Sequence, residues 1–181
     1  MYFGNIGLGR NLALVKIADA LGRINPEYRL QVYSTEQNEA VYGVLQAHPN
    51  IDYRGGIPYS EVQQKLAQCD IYVAAESFRE EDLAFTRYSL STKAADGLAC
   101  GAAVFAFGPE ESGLIDYLRK TGAAQVCTEE TAAEQSLRQL LTDPVLQKSL
   151  YERSAIVVRD NHTVEGSTGA FENVIKQTLS L

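Results

Sequence analysis

Ser91-Thr92-Lys93-Ala94-Ala95-Asp96-Gly97-Leu98-Ala99-Cys100-Gly101-Ala102-Ala103-Val104-Phe105-Ala106-Phe107-Gly108-Pro109 contains a helix, its stop signal and a strand in one stretch. Ala94, Ala95, Leu98 and Ala99 recur at helical spacing, and Gly101 supplies the residue on which such helices end. Ala102–Phe107 is then an unbroken apolar run closed by Gly108-Pro109. A short run with no polar alternation is a strand covered on both faces. Outward from this unit the same alternation repeats. Further strands are expected at Tyr2–Ile6, Arg29–Ser34, Asn50–Arg54, Ile71–Ala75 and Ala124–Cys127, with helical segments at Leu12–Ile24, Ala40–Gln46, Tyr59–Gln68 and Leu114–Lys120. Repeated strand–helix units with doubly covered strands specify an α/β protein: a Rossmann-like, doubly wound parallel sheet of about six strands, its ligand at the strands' carboxyl ends. From Thr128 onward the pattern is helical, broken at Asp143-Pro144.

The punctuation is consistent with one domain over residues 1–181. Asn25-Pro26 ends the first helix, because a residue preceding proline resists helical dihedrals. Pro58 and Ser60 open another, as does Thr128 with Glu129 and Glu130 in its first turn, where acids meet the positive end of the helix dipole. A chain of 181 residues buries a substantial core unaided. Its net charge of -7 argues against a nucleic-acid backbone as partner, but not against a small anion gripped by a few cations and amides. No run is long and apolar enough for a membrane span, and no signal-peptide pattern opens the chain. Tyr2-Phe3-Gly4-Asn5 reads as a strand already under way, so the chain is expected to be a piece of a longer protein. Cys69, Cys100 and Cys127 are odd in number and widely spaced, which fits packing roles and a reduced, cytoplasmic compartment, with no metal site.

Two segments have chemistry in them. Gly4-Asn5-Ile6-Gly7-Leu8-Gly9-Arg10 closes the first strand with glycines, letting a tight turn bring bare N–H groups to a helix start. It is neither a dinucleotide fingerprint, since Leu12 stands at the third glycine position, nor a P-loop. Arg10 sits at the positive end of that helix, where a cation is misplaced unless it meets an anion. Thr92 is expected to cap the helix that follows it. Lys93 is misplaced in the same sense as Arg10, and Asp96, three residues on, shares its face. A lysine for phosphate and an acid for sugar hydroxyls is the pair a nucleotide calls for. The segment Glu76–Leu90, rich in charge and aromatics directly after a strand, is expected to be a long loop, functional or mobile, with Glu80-Glu81-Asp82 as solvated charge. His48 and His162, each near a helix end, are expected to be structural.

The order of these signatures is the informative feature. The glycine loop with Arg10, then His48-Pro49-Asn50-Ile51-Asp52-Tyr53-Arg54-Gly55-Gly56-Ile57-Pro58, then Cys69-Asp70-Ile71-Tyr72-Val73, then Lys93 to Phe107, resembles the carboxyl-terminal domain of family 4 glycosyltransferases, especially those acting on bacterial surface polysaccharides. The resemblance covers nearly the whole chain. It implies one half of a GT-B fold, a retaining sugar transfer, and a nucleotide diphosphate sugar as donor, a UDP-sugar by family habit, with no further cofactor. An amino-terminal acceptor-binding domain would be the missing partner, leaving this segment inactive alone. Residue by residue, Gly7, Gly9 and Arg10 match the loop facing the donor diphosphate, Gly56 and Ile57 the turn beside the nucleobase, and Thr92 and Lys93 the pair near the phosphates. Asp96 stands where the family has a longer acid on the ribose. The acid facing the donor sugar falls among Glu76, Glu80 and Glu81. The catalytic candidates are thus Arg10, Lys93 and Glu76, and Lys16 is expected on a helix surface. Two other readings stay open: a nucleotide-sugar epimerase of the same architecture, and a non-catalytic nucleotide-sugar-binding module.

Overall fold

The computed structural model describes residues 1–179, without the side chain of Lys93. Six strands, β1 (Tyr2–Phe3), β2 (Leu30–Tyr33), β3 (Ile51–Gly55), β4 (Ile71–Ala75), β5 (Ala103–Phe107) and β6 (Gln125–Cys127), alternate with helices. These are α1 (Arg10–Ile24), α2 (Glu39–Gln46), α3 (Tyr59–Leu66), α4 (Glu80–Thr86), α5 (Lys93–Ala99) and α6 (Gly113–Thr121). A short 3-10 turn, Glu130–Ala132, leads to α7 (Ala133–Thr142), α8 (Pro144–Asn161) and α9 (Val164–Leu179). All strand pairs are parallel. Hydrogen bonding divides the expected sheet into two three-stranded sheets, β1-β2-β3 and β4-β5-β6. They abut at Met1, whose carbonyl accepts from the Val73 N–H at 2.8 Å and whose amine donates to the Ile71 carbonyl at 2.6 Å. A two-residue β1 is too short for a full ladder to β4, because Gly4 and the turn beyond it leave the strand direction.

Side chains of successive strand residues point to opposite faces, and the two hydrophobic clusters follow that alternation. Val73, Ala75, Phe105 and Phe107 join α1 and α7 on one face, where Leu14, Ile17 and Leu137 are fully or nearly fully buried. Tyr72, Ala74, Val104 and Ala106 join α5 and α6 on the other, with Leu98, Ile115 and Leu118. Both faces of β4 and β5 are therefore covered, as their uninterrupted apolar sequence requires. Asp143 caps α8, its Oδ1 accepting from the N–H groups of Val145 and Leu146, with Pro144 in the first turn. Cys127 is buried, while Cys69 and Cys100 are half-buried against the second cluster. Among the described residues no helix is long and apolar enough to cross a membrane.

One expectation is corrected. Residues 76–90 are not one long loop, since α4 occupies Glu80–Thr86. Glu80, Glu81 and Asp82 fill its first turn, where carboxylates meet the helix dipole favourably. Asp82 is accordingly not solvated loop charge, being 7% exposed.

Candidate functional site

In a doubly wound sheet the crevice opens at the carboxyl edge, where crossovers leave neighbouring strands for opposite faces. Here that point lies between β1 and β4. Two adjoining cavities, of about 300 and 320 Å³, open there and share Phe3, Asn5 and Tyr72 as common walls.

The first cavity is apolar with a few polar groups. The rings of Phe3 and Tyr33 stack with centroids 4.4 Å apart and planes within 4°. Ile57, Val62 and Leu66 line it further, and half-buried Asp96 enters from α5. Gly56 lies against Thr35, and a Cβ added to it would stand 2.7 Å from Thr35 Cγ2. Glycine alone lets the β3–α3 turn approach so closely. Gly56, Ile57 and Asp96, read from separate parts of the sequence, thus meet in one cavity.

The second cavity is walled by Arg10, Glu76, Ser89, Ser91 and Thr92. Arg10 Nε donates to Glu76 Oε2 at 2.9 Å, and Arg10 Nη2 donates to Glu76 Oε1 at 3.2 Å. The Glu76 side chain is 3% exposed and that of Arg10 16%. Burial pushes the Glu76 carboxyl above its ordinary value, and the charge and hydrogen bonds of Arg10 oppose that without cancelling it. The guanidinium presents five N–H groups, and its Nη1 edge has no protein partner among the described residues. Thr92 is exposed and forms no side-chain cap, correcting that expectation: its dihedrals are already helical, φ -58 and ψ -25, and a capping side chain needs extended backbone. The expectation for Lys93 concerns a side chain outside the described residues. Its backbone begins α5 directly beyond Thr92.

The glycine turn is more nearly self-satisfied than its composition implies. The Gly7 N–H donates to Asn5 Oδ1 at 2.8 Å, the Arg10 N–H to the Gly7 carbonyl at 3.3 Å, and the Asn11 N–H to the Ile6 carbonyl at 3.0 Å. The amides of Leu8 and Gly9 have no partner among the described residues. Both residues are left-handed, Leu8 at φ 50 and Gly9 at φ 67. Gly9 packs directly on Ser77 and Asp82, leaving no room for a side chain.

Of the three candidate acids, Glu76 lines a cavity. Glu80 and Glu81 are exposed on α4, and Glu81 pairs with Arg79. Lys16 lies on the α1 surface, bonded to Glu130 at 2.6 Å. The histidines make local contacts: His48 Nδ1 accepts from the Asn50 N–H, its Nε2 meets Asp19 at 3.0 Å, and His162 Nε2 meets the Tyr117 hydroxyl at 2.8 Å. Among the described residues no group of three or more His, Cys, Asp or Glu is placed to hold a metal ion. The aromatic walls Phe3, Tyr33 and Tyr72 and the buried pair Ser77–Asp82 escape a reading of the sequence. Aromatic residues inside strands read as core, and a serine beside charged residues reads as loop.

A sequence model of a family described as glycosyl transferase-like matches residues 10–172. Among solved structures, WaaG, a glycosyltransferase involved in lipopolysaccharide biosynthesis, superposes with a TM-score of 0.61 at 16% sequence identity. The match covers 87% of this chain and 42% of the WaaG chain, so the present chain spans less than half of that protein. At this identity the likeness is one of fold. No curated protein matches the chain significantly.

Proposed function

The chain belongs to the glycosyl transferase-like family, and we propose that it is the nucleotide-sugar-binding domain of a retaining, two-domain GT-B glycosyltransferase acting in cell-surface polysaccharide or glycan synthesis. One observation supports this most. An aromatic cavity with a single half-buried carboxylate opens beside a polar cavity walled by Arg10, at the carboxyl edge of a parallel sheet. In this reading the base lies in the first cavity beside Gly56 and Ile57, and Asp96 accepts from the ribose hydroxyls. The diphosphate crosses into the second, toward the outer edge of Arg10, the amides of Leu8 and Gly9, and Lys93. Negative charge grows on the diphosphate as the sugar–oxygen bond breaks, and donors held in place stabilise it without reorganising. Glu76, fixed by Arg10, faces the donor sugar. The acceptor is held by a second domain outside residues 1–181, so this chain alone transfers no sugar, and the donor is a UDP-sugar met in the cytoplasm. The described role of WaaG in lipopolysaccharide biosynthesis supports the assignment to surface glycans.

A thermal-shift panel tests the reading, because a ligand bound by the folded state alone stabilises it, by about 2.7 kcal/mol at one hundred times its dissociation constant. Uridine, guanosine and adenosine diphosphates are compared with their nucleosides. One diphosphate is expected to raise the melting temperature well above its nucleoside. A chain indifferent to all of them is not a donor domain.

A further inference from the structure

We infer that Asp82, acting through Ser77 on Gly9, is the positioning residue for the glycine turn and Arg10; the inference rests on the donor-site reading of that turn. Among the described residues the buried charged side chains are Glu76, 2% exposed, and Asp82, 7% exposed, and both belong to the segment facing the start of α1. Ser77, itself 2% exposed, donates from Oγ to Asp82 Oδ2 at 2.8 Å and accepts the Arg79 N–H at 3.1 Å. Arg79 Nε stands 3.3 Å from the same carboxylate oxygen. Gly9 rests on this pair so closely that a Cβ there would fall 2.9 Å from Ser77 Cβ and overlap the Ser77 hydroxyl and the Asp82 carboxylate.

Two consecutive residues of one segment, Glu76 and Ser77, thus touch two consecutive residues of another, Arg10 and Gly9. Displacing the first segment displaces the guanidinium and the turn together. The turn needs an external brace, since Leu8 at φ 50 is in the left-handed region that a non-glycine residue holds only where its surroundings over-determine it. A buried carboxylate is costly unless hydrogen-bonded. Core packing does not explain one here, because an alkyl group in its place would fill the same space. What the carboxylate adds is direction: it fixes the Ser77 hydroxyl, and through it the surface on which Gly9 turns.

The test uses the full chain with Asp82→Ala, Asp82→Asn and Ser77→Ala. Calorimetry measures affinity for whichever of uridine, guanosine and adenosine diphosphate the wild type binds, and for the matching nucleoside, below the melting temperature of each variant. Asp82→Ala and Ser77→Ala are expected to weaken the diphosphate about tenfold or more, as loss of a supporting partner does at other sites. Nucleoside affinity stays within about twofold, because the aromatic cavity does not include these residues. Asp82→Asn keeps an acceptor for Ser77 and stays near wild type, and Ser77→Ala decides the question if Asp82→Ala does not fold. Equal losses for nucleoside and diphosphate, or diphosphate binding unchanged in Asp82→Ala and Ser77→Ala, overturn the inference alone. A wild type that binds no nucleoside diphosphate overturns the donor-site reading, and this inference with it.

Discussion

The guanidinium of Arg10 and the carboxylate of Glu76, 66 residues apart in sequence, form a two-point pair at 2.9 and 3.2 Å on the wall of the polar cavity. Its partners differ in environment. Glu76 is nearly water-free, while Arg10 is partly exposed where it lines the cavity. Glu76 therefore depends on Arg10 more than Arg10 depends on Glu76.

Arg10→Ala leaves a buried carboxylate without its cation, which costs about 3 kcal/mol at neutral pH by comparison with other broken buried pairs. The double variant Arg10→Ala/Glu76→Gln is expected to regain most of that. Urea unfolding of the single and double variants measures both, and an additive double variant contradicts the pairing.

The raised Glu76 carboxyl sets a sign for pH dependence. A folded-state value above the unfolded one means that the native state binds more protons, so this group's contribution falls as pH rises from near its ordinary value of 4.5 through the raised one, and is constant above. Relative to Glu76→Gln, wild-type stability is thus expected to decline across that window. A difference that grows with pH in urea midpoints would mean that Arg10 outweighs burial.

The strands were legible because their runs are apolar without alternation: β4 and β5 lie where their sequences place them, at Ile71–Ala75 and Ala103–Phe107. The convergence of Gly56, Ile57 and Asp96 was legible from the order of signatures. Helix α4 was not, because a helix this short and this charged shows no apolar period, and the tertiary contact burying Asp82 leaves no trace in residue types. Choosing Glu76 over Glu80 and Glu81 as the acid lining a cavity needed the geometry, since all three are acids on one short segment. Thr92 was misread as a cap because residue type at a helix start does not report its backbone dihedrals.

Gly97 lies under the ring of Tyr72, the wall common to both cavities, and a Cβ added there overlaps the ring, 2.7 Å from Cζ. Gly97→Ala is expected to cost about 1–3 kcal/mol as an overpacked contact, and to weaken nucleoside and diphosphate alike by moving Tyr72. Unchanged stability and binding would show that α5 shifts freely.

Charge removal on α5 separates the two cavities. Lys93→Ala is expected to weaken a nucleoside diphosphate more than its nucleoside. Asp96→Ala should weaken both by the same factor, about tenfold for one lost charge-assisted hydrogen bond. Equal losses in Lys93→Ala would assign Lys93 to folding instead.

Amide chemical shifts of the labelled chain, titrated with uridine, guanosine and adenosine diphosphates, test the donor site most directly. One of them is expected to perturb Leu8, Gly9, Ile57, Thr92 and Asp96 together, residues contributed by three separate segments. Perturbations confined to the cavity at the opposite, amino edge of the sheet, around Tyr28, Gln31 and Leu141, or none at all, would contradict it.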